Sequence, residues 1–249
     1  MTPEFGAEIS SLLQRCTIKR GSRQHGWFLD IPESTEAFWA RYRSNFRSQL
    51  RRQLRKADAH GIDLRFVTEE ELPPNYSIPQ AMENLKRLHK LRFETLNRRS
   101  FFLRADFQRF HQYLSRQAST GACTACFTEA IHEGQVVGSI YGMRATSTYL
   151  FLMTGFNPRY ADFSPGALLL YHTVEELIRH GVRHFDFKCG EESYKRRWAS
   201  GWYEKADLEV ILTPRGHLLR ASSRTGEHAR RISSRLSKHS EKLVERVAT

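Results

Sequence analysis

The chain has 249 residues, 40% of them hydrophobic, so it can bury a full core. Its composition excludes collagen-like, low-complexity and disordered classes. Lysine and arginine number 39 against 27 acidic residues, a formal net charge of +12, which admits polyanionic partners. No apolar run approaches the roughly 20 residues of a membrane helix, and Met1-Thr2-Pro3-Glu4 is not the start of a secretory leader, so a cytoplasmic location is expected.

Residues 1–33 read as an N-terminal extension, with a short helix marked by Ile9, Leu12 and Leu13 and a strand from Trp27 to Ile31 closed by Pro32. From Ser34 a helix is expected to run to Gly61, because Phe38, Tyr42, Phe46, Leu50 and Leu54 recur every fourth residue. Its other side carries Arg41, Arg43, Arg47, Arg51, Arg52, Arg55 and Lys56 with no acid. A strand at Asp63–Thr68, a loop at Pro73-Pro74, and helices from Ile78 to Thr95 and from Phe102 to Arg116 follow. Residues 122–131, 135–145 and 148–155 then alternate as three strands with short turns, an antiparallel meander. Cys123 and Cys126 form C-x-x-C within a strand, where they face opposite ways, and no second pair completes a zinc site. Cys16 and Cys189 add no disulfide framework, so no metal is expected.

The segment from Ser164 to Trp198 carries the densest signal. Ser164 before Pro165 is a candidate N-cap, and the apolar residues Leu168, Leu169, Val174, Leu177 and Ile178 have helical spacing up to Gly181. Val182 to Phe187 then alternates as a strand with Asp186 and Phe185 on opposite faces. Beyond it lie Gly190, Glu191, Glu192, Tyr194, Lys195, Arg196, Arg197 and Trp198. A helix start following strands is a place for a pyrophosphate, because its amides are unpaired and its dipole is positive there. Leu208–Leu212 reads as a last strand. Residues 213–249 form a basic helical tail, with Arg220, Arg224, Arg230, Arg231, Arg235, Lys238, Lys242 and Arg246 among its cations.

Ser164-Pro165-Gly166, His184-Phe185-Asp186-Phe187 with Gly190, and Tyr194-Lys195-Arg196-Arg197-Trp198 resemble the GNAT-fold acetyltransferases related to the cellulose-biosynthesis acetyltransferase family. That family is in turn similar to the Fem-type aminoacyltransferases. The resemblance, over residues 46–212, implies an α/β (α+β) fold with a mixed, mostly antiparallel central sheet flanked by helices, and a domain drawn over residues 34–212. It also implies acetyl-CoA or another acyl-CoA as co-substrate, lying along residues 149–155 with its phosphates near Arg159, Ser164, Gly166, Ala167 and Leu168, and with Arg196 as a further phosphate contact. The usual run of closely spaced glycines is reduced here to Gly166.

Acyl transfer to an amine needs a base, a held carbonyl, and stabilised oxyanion and leaving groups. Asp186, Glu191 and Glu192 are candidate bases, Tyr194 a candidate acid, and Lys195 a candidate oxyanion or phosphate contact. In the Fem-type relatives a lysine matching Lys195 is implicated in handling the tetrahedral intermediate, as the resemblance implies. Asp186 reads equally well as a structural carboxylate bonded to Lys195 or Arg196. The acceptor is then an amine-bearing small molecule, sugar or peptide. Two other readings stay open: an aminoacyl-tRNA donor gripped by the basic helices at 41–56 and 220–246, and a non-catalytic nucleic-acid-binding protein. A homodimer partner is one way to supply the second GNAT-like half found in many relatives.

Overall fold

The computed structural model describes residues 17–97, 100–117, 123–190 and 192–211. The helix marked by Ile9, the basic tail at 213–249 and Glu191 lie outside them. The chain divides into two compact units, of which the larger, Gln24–Lys205, is described below.

Seven strands form one sheet: β1 (Thr17–Asp30), β2 (Asp63–Val67), β3 (Thr124–His132), β4 (Gln135–Ala145), β5 (Thr148–Phe156), β6 (His184–Cys189) and β7 (Gly201–Ile211), in the spatial order β2-β3-β4-β5-β6-β1-β7. The meander β3-β4-β5 is antiparallel, as its short turns require; Glu133 and Gly134 both take positive φ, which suits the tight twist of a two-residue hairpin. Strands β5 and β6 pair in parallel, and their ladder covers three pairs, Thr148↔His184, Tyr149↔Phe185 and Leu150↔Asp186. Beyond these both strands continue, but not as partners.

Among the described residues, six helices cover the two faces: α1 (Thr35–Ala40), α2 (Ser44–Asp58), α3 (Ile78–Thr95), α4 (Ala105–Gln117), α5 (Pro165–Arg179) and α6 (Ser193–Trp198). Strand alternation sorts the core. Cys126, Ile140, Phe151, Phe185 and Phe187 pack with α2 and α5, whereas Ala125, Phe127, Tyr141 and Met143 pack with α3. Cys123 and Cys126 fall to opposite cores, and burial pushes the Cys126 thiol up to about 12, so it is inert. Helix α3 matches its sequence signals at both ends: Ser77 Oγ accepts the Gln80 amide, Pro79 sits in the first turn, and Ile78, Met82, Leu85 and Leu88 bury one stripe.

Three expectations change. The helix from Ser34 to Gly61 is two helices, because Phe38, Tyr42 and Phe46 all pack around the single ring of Trp198 and the Tyr42 hydroxyl donates to the Trp198 carbonyl at 2.9 Å. The chain must turn at residues 41–43 to bring them there. The helix at 102–116 begins instead with a 3-10 turn at Phe101–Leu103. Strand β6 starts two residues late, since the Val182 amide closes the end of α5 on the Leu177 carbonyl, with Gly181 in the left-handed region. Strand β1 enters the sheet beside β6, pairing Gly26–Asp30 with it, and the compact unit begins at Gln24.

Helix α3 packs directly against β5 at Gly155. A Cβ there would stand 2.8 Å from the Leu88 carbonyl carbon and overlap the His89 backbone. Gly155→Ala should therefore push α3 outward at a cost of about 1–3 kcal/mol. Thermal melts should show Tm lowered by roughly 5 °C; an unchanged Tm would refute this contact as a packing constraint.

Candidate active site

Where β5 and β6 part, a cleft of about 660 Å³ opens between residues 150–154 and 186–189, with α3 on one side and α6 across its end. Two smaller hollows adjoin it. One, about 420 Å³, lies between α2, Ser164, Ala167 and α6; the other, about 190 Å³, lies between β5 and the start of α5. Tyr194 lines all three. The register of β4 with β5 slips between Tyr141 and Gly142, which pair with Met153 and Phe151, so Leu152 is left out of the ladder where β5 borders the cleft.

Asp186 sits on the cleft side of β6. Its Oδ1 accepts the Lys188 amide at 2.6 Å and the Tyr203 hydroxyl at 3.0 Å, and Oδ2 lies 3.1 Å from the same hydroxyl. Lys188 turns with φ 61°, and the β1–β6 register slips at the same place, between Trp27 and Phe28. The carboxylate is thus held by Tyr203 and this turn, not by Lys195 or Arg196. Burial, and then the bonded carboxylate, raise the Tyr203 hydroxyl well above its ordinary 10, which keeps it a donor.

Lys195 is buried, and its Nζ donates to the Cys189 carbonyl and to Glu192 Oε2, both at 2.9 Å. Burial acts to raise the Glu192 carboxyl, but the Lys195 hydrogen bond, its own backbone amide and the charges of Lys195 and Arg92 bring it below its usual value. Tyr194 is raised well above 10, first by burial and then by Glu192, so at neutral pH it carries its proton. Arg196 is exposed over the Trp27 ring, and Arg197 bonds Gln49 at 2.5 Å and lies over Phe46.

The residues at the start of α5 are arranged differently from the expected cap. Ser164 takes φ 53° as the end of a 3-10 turn, Pro158–Phe163, and its side chain makes no cap bond. The Ala167 and Leu168 amides both turn to the Ser164 carbonyl and Pro165 has no amide, so the first four helical positions leave at most the Gly166 N–H to an anion. Gly166 opens onto space that a Cβ would not fill. Leu168 is wholly buried in the core, and Arg159 is exposed on the 3-10 turn and lines none of the three hollows.

Asp186, Tyr194 and Lys195 thus share one cleft, while Ser164, Gly166 and Ala167 line the hollows beyond Tyr194. Three residues there carry no motif signal: His89, Arg92 and Tyr203. His89 and Arg92 stand three residues apart on α3, a spacing that puts both on one face, but nothing in sequence says which face meets the cleft. Among the described residues, Glu71, Glu176 and His180 have metal-ligand proximity, but Arg179 bonds both carboxylates.

A mixed sheet that splits between two parallel strands, with a helix start and a protonated tyrosine at the gap, defines an acyltransferase class of fold. The family model described as "Acetyltransferase (GNAT) domain" matches residues 44–196, and the chain belongs to that family. Among solved structures it is similar to FemX, at 12% identity and a TM-score of 0.59, over 87% of this chain and 70% of that one. It is also similar to the C-terminal domain assigned to a lysylphosphatidylglycerol synthetase of Agrobacterium fabrum, at 12% identity and a TM-score of 0.55, over 90% of this chain and 69% of that one. At such identities these likenesses show the fold. No curated protein matches the sequence significantly. Among the described residues no helix is long and apolar enough to cross a membrane.

Two predictions follow from this geometry. Gly190 has φ 145°, a region essentially restricted to glycine, and a Cβ would stand 2.6 Å from Lys195 Nζ and overlap Glu192. Gly190→Ala should cost about 1–3 kcal/mol and disrupt the Lys195–Glu192 pair, seen as a lowered Tm together with altered ligand binding in the cleft. Unaltered melting and binding would contradict it. His89 shares hydrogen bonds with the Thr154 carbonyl (2.9 Å) and Ser100 (2.6 Å), and burial lowers its pKa. The same direction, with burial as the first cause, holds for His111, His172 and His180. Since the unfolded histidines take up protons near about 6.5 and the folded ones only lower, stability present above that pH should be lost as pH falls through it towards 5. Melts from pH 8 to 5 test this; a flat Tm would count against it.

Proposed function

We propose that the protein transfers an acyl group from an acyl-CoA thioester to a primary amine of a small molecule, sugar or peptide, as an N-acyltransferase of the cellulose-biosynthesis acetyltransferase-like branch working in the cytoplasm. The observation that carries this reading is the meeting of the three hollows at Tyr194, which gives a route from the start of α5, through the hollow between β5 and α5, to a cleft lined by Asp186. Donor phosphates would lie by Ser164, Gly166 and Ala167, with Arg197 beside them. The acyl arm would follow β5 through the apolar hollow lined by Phe151, Leu170 and Trp198. Arg159, Leu168 and Arg196 are the outlying members of the proposed donor set.

The chemistry then divides among the residues of the cleft. Asp186 accepts the proton of the incoming amine as its nitrogen bonds to the thioester carbon. The Leu152 backbone, freed from the ladder by the bulge, is a candidate donor to the developing oxyanion. As the carbon–sulfur bond breaks, Tyr194 passes its proton to the thiolate. Lys195 has two of its three N–H donors engaged, which leaves one for the intermediate, the role implied by the Fem-type resemblance. Glu191 is the second candidate base.

A second reading, an aminoacyl-tRNA donor, is favoured by exposed cations on and just before α2, among them Arg43, Arg52 and Arg55, with the tail at 220–246 as a further footprint. A nucleic-acid-binding role without catalysis would rest on the same cations, and a homodimer would bring a second GNAT-like unit to the acceptor.

Calorimetry with acetyl-CoA and with charged tRNA, followed by thiol release over a panel of amines, tests these readings. Acetyl-CoA should bind, and Tyr194→Phe should lower kcat about 10²-fold while donor affinity changes little. Salt-sensitive tRNA binding without acetyl-CoA binding would overturn the thioester reading.

A further inference from the structure

Arg92 projects from α3 to the point where the large cleft meets the small hollow and lines both. It is partly buried, with its guanidinium 4.8 Å from the Phe156 ring, and among the described residues no carboxylate or carbonyl bonds to it. Two other partly buried arginines of the same unit are paired with carboxylates. Arg65 forks onto Glu129 at 2.6 and 2.9 Å, and Arg144 pairs with Glu70 at 3.1 Å. Removing a guanidinium from water without satisfying its donors is unfavourable, and the planar fork matches a carboxylate or phosphate. Burial lowers its pKa, against the attraction of Tyr194 and Glu192.

The cleft's own carboxylates are bonded elsewhere. Asp186 is taken by Tyr203 and the Lys188 amide, and Glu192 Oε2 by Lys195. Lys188, exposed at the end of β6, lines the same cleft and adds positive charge to it. None of the residues at the start of α5 lines this cleft, and an acetyl thioester carries no charge at its reacting end.

We propose that Arg92, supported by Lys188, binds an anionic group of the acyl acceptor, so that the acceptor is an amine that also bears a carboxylate or phosphate. This rests on the N-acyltransferase reading for the identity of the bound molecule as an acceptor. Arg92 is a specificity residue in this account, placed to hold the anion while Asp186 faces the amine.

The test pairs each acceptor with its uncharged counterpart, amino acids against their amides and phosphoethanolamine against ethanolamine, with acetyl-CoA as donor. The wild type should favour the anionic member of its best pair by roughly 10–100-fold in kcat/KM, the range for charge-assisted hydrogen bonds. Arg92→Met should collapse that ratio towards one, with the loss falling in KM of the anionic member. Arg92→Lys should retain part of it, and Lys90→Met, on the exposed side of the same helix, should leave it unchanged. The proposal is overturned if the wild type shows no preference, or if Arg92→Met harms both members equally. It is also overturned if Arg92→Met instead weakens acetyl-CoA binding, which would place a donor phosphate there, or if Arg92 governs preference for succinyl-CoA over acetyl-CoA, which would place the anion on the acyl group. Calorimetry with the same acceptor pairs needs no turnover. Arg92-dependent binding of the anionic members would sustain the anion site even where transfer fails, and absence of binding by either member would reject it.

Discussion

Everything at the candidate site depends on the parallel ladder between β5 and β6 ending after Leu150 and Asp186. A fully paired sheet would have no gap there, because neighbouring strands lie only about 4.8 Å apart. Two irregularities accompany the split. Leu152 drops out of the β4–β5 register, and β6 turns at Lys188 with a left-handed residue against a slipped β1. The interior opened this way is bordered by Tyr194 and Trp198 of a six-residue helix, and by Phe151 and Phe187 of the two strands.

The short helix α6 has little intrinsic stability at its length, so its place is fixed by tertiary contacts. Trp198 anchors one end inside a cluster of Phe38, Tyr42 and Phe46. Lys195 anchors the other, bonded to the Cys189 carbonyl and to Glu192. The Trp27 indole donates to the Gly190 carbonyl at 3.1 Å, so strand β1 fixes the loop between β6 and α6 as well. A strand assigned by sequence to an N-terminal extension is therefore part of the scaffold of the cleft.

Buried charge in this protein takes two forms. Glu129, wholly buried, is satisfied on both oxygens by Arg65 and by the Tyr76 hydroxyl at 2.6 Å, with Asn84 donating to Tyr76 in turn. That network is complete and lies away from the cleft, so it holds β2, β3 and α3 together. Arg92 is its opposite, a cation at the junction of two hollows with an aromatic ring for support and no anion bonded to it. The contrast separates structural charge from charge available to a ligand more sharply than burial does.

The sequence by itself determined the elements whose signals are local. Helix α3 runs from Ile78 to Thr95 because Ser77, Pro79 and the apolar stripe act within a few residues of one another. The meander follows from strand alternation and two-residue turns, and α5 ends where Gly181 allows a left-handed cap. The motif residues Asp186, Tyr194 and Lys195 were legible for the same reason, being close in the chain. Tertiary structure alone decided the break at residues 41–43, which depends on Trp198 more than 150 positions away. It also decided that Asp186 bonds Tyr203, that the Ser164 side chain makes no cap bond at the start of α5, and that Arg92 faces the cleft. Each of these is a meeting of side chains from elements distant in sequence, and helical or strand periodicity records which residues share a face, not what that face will meet.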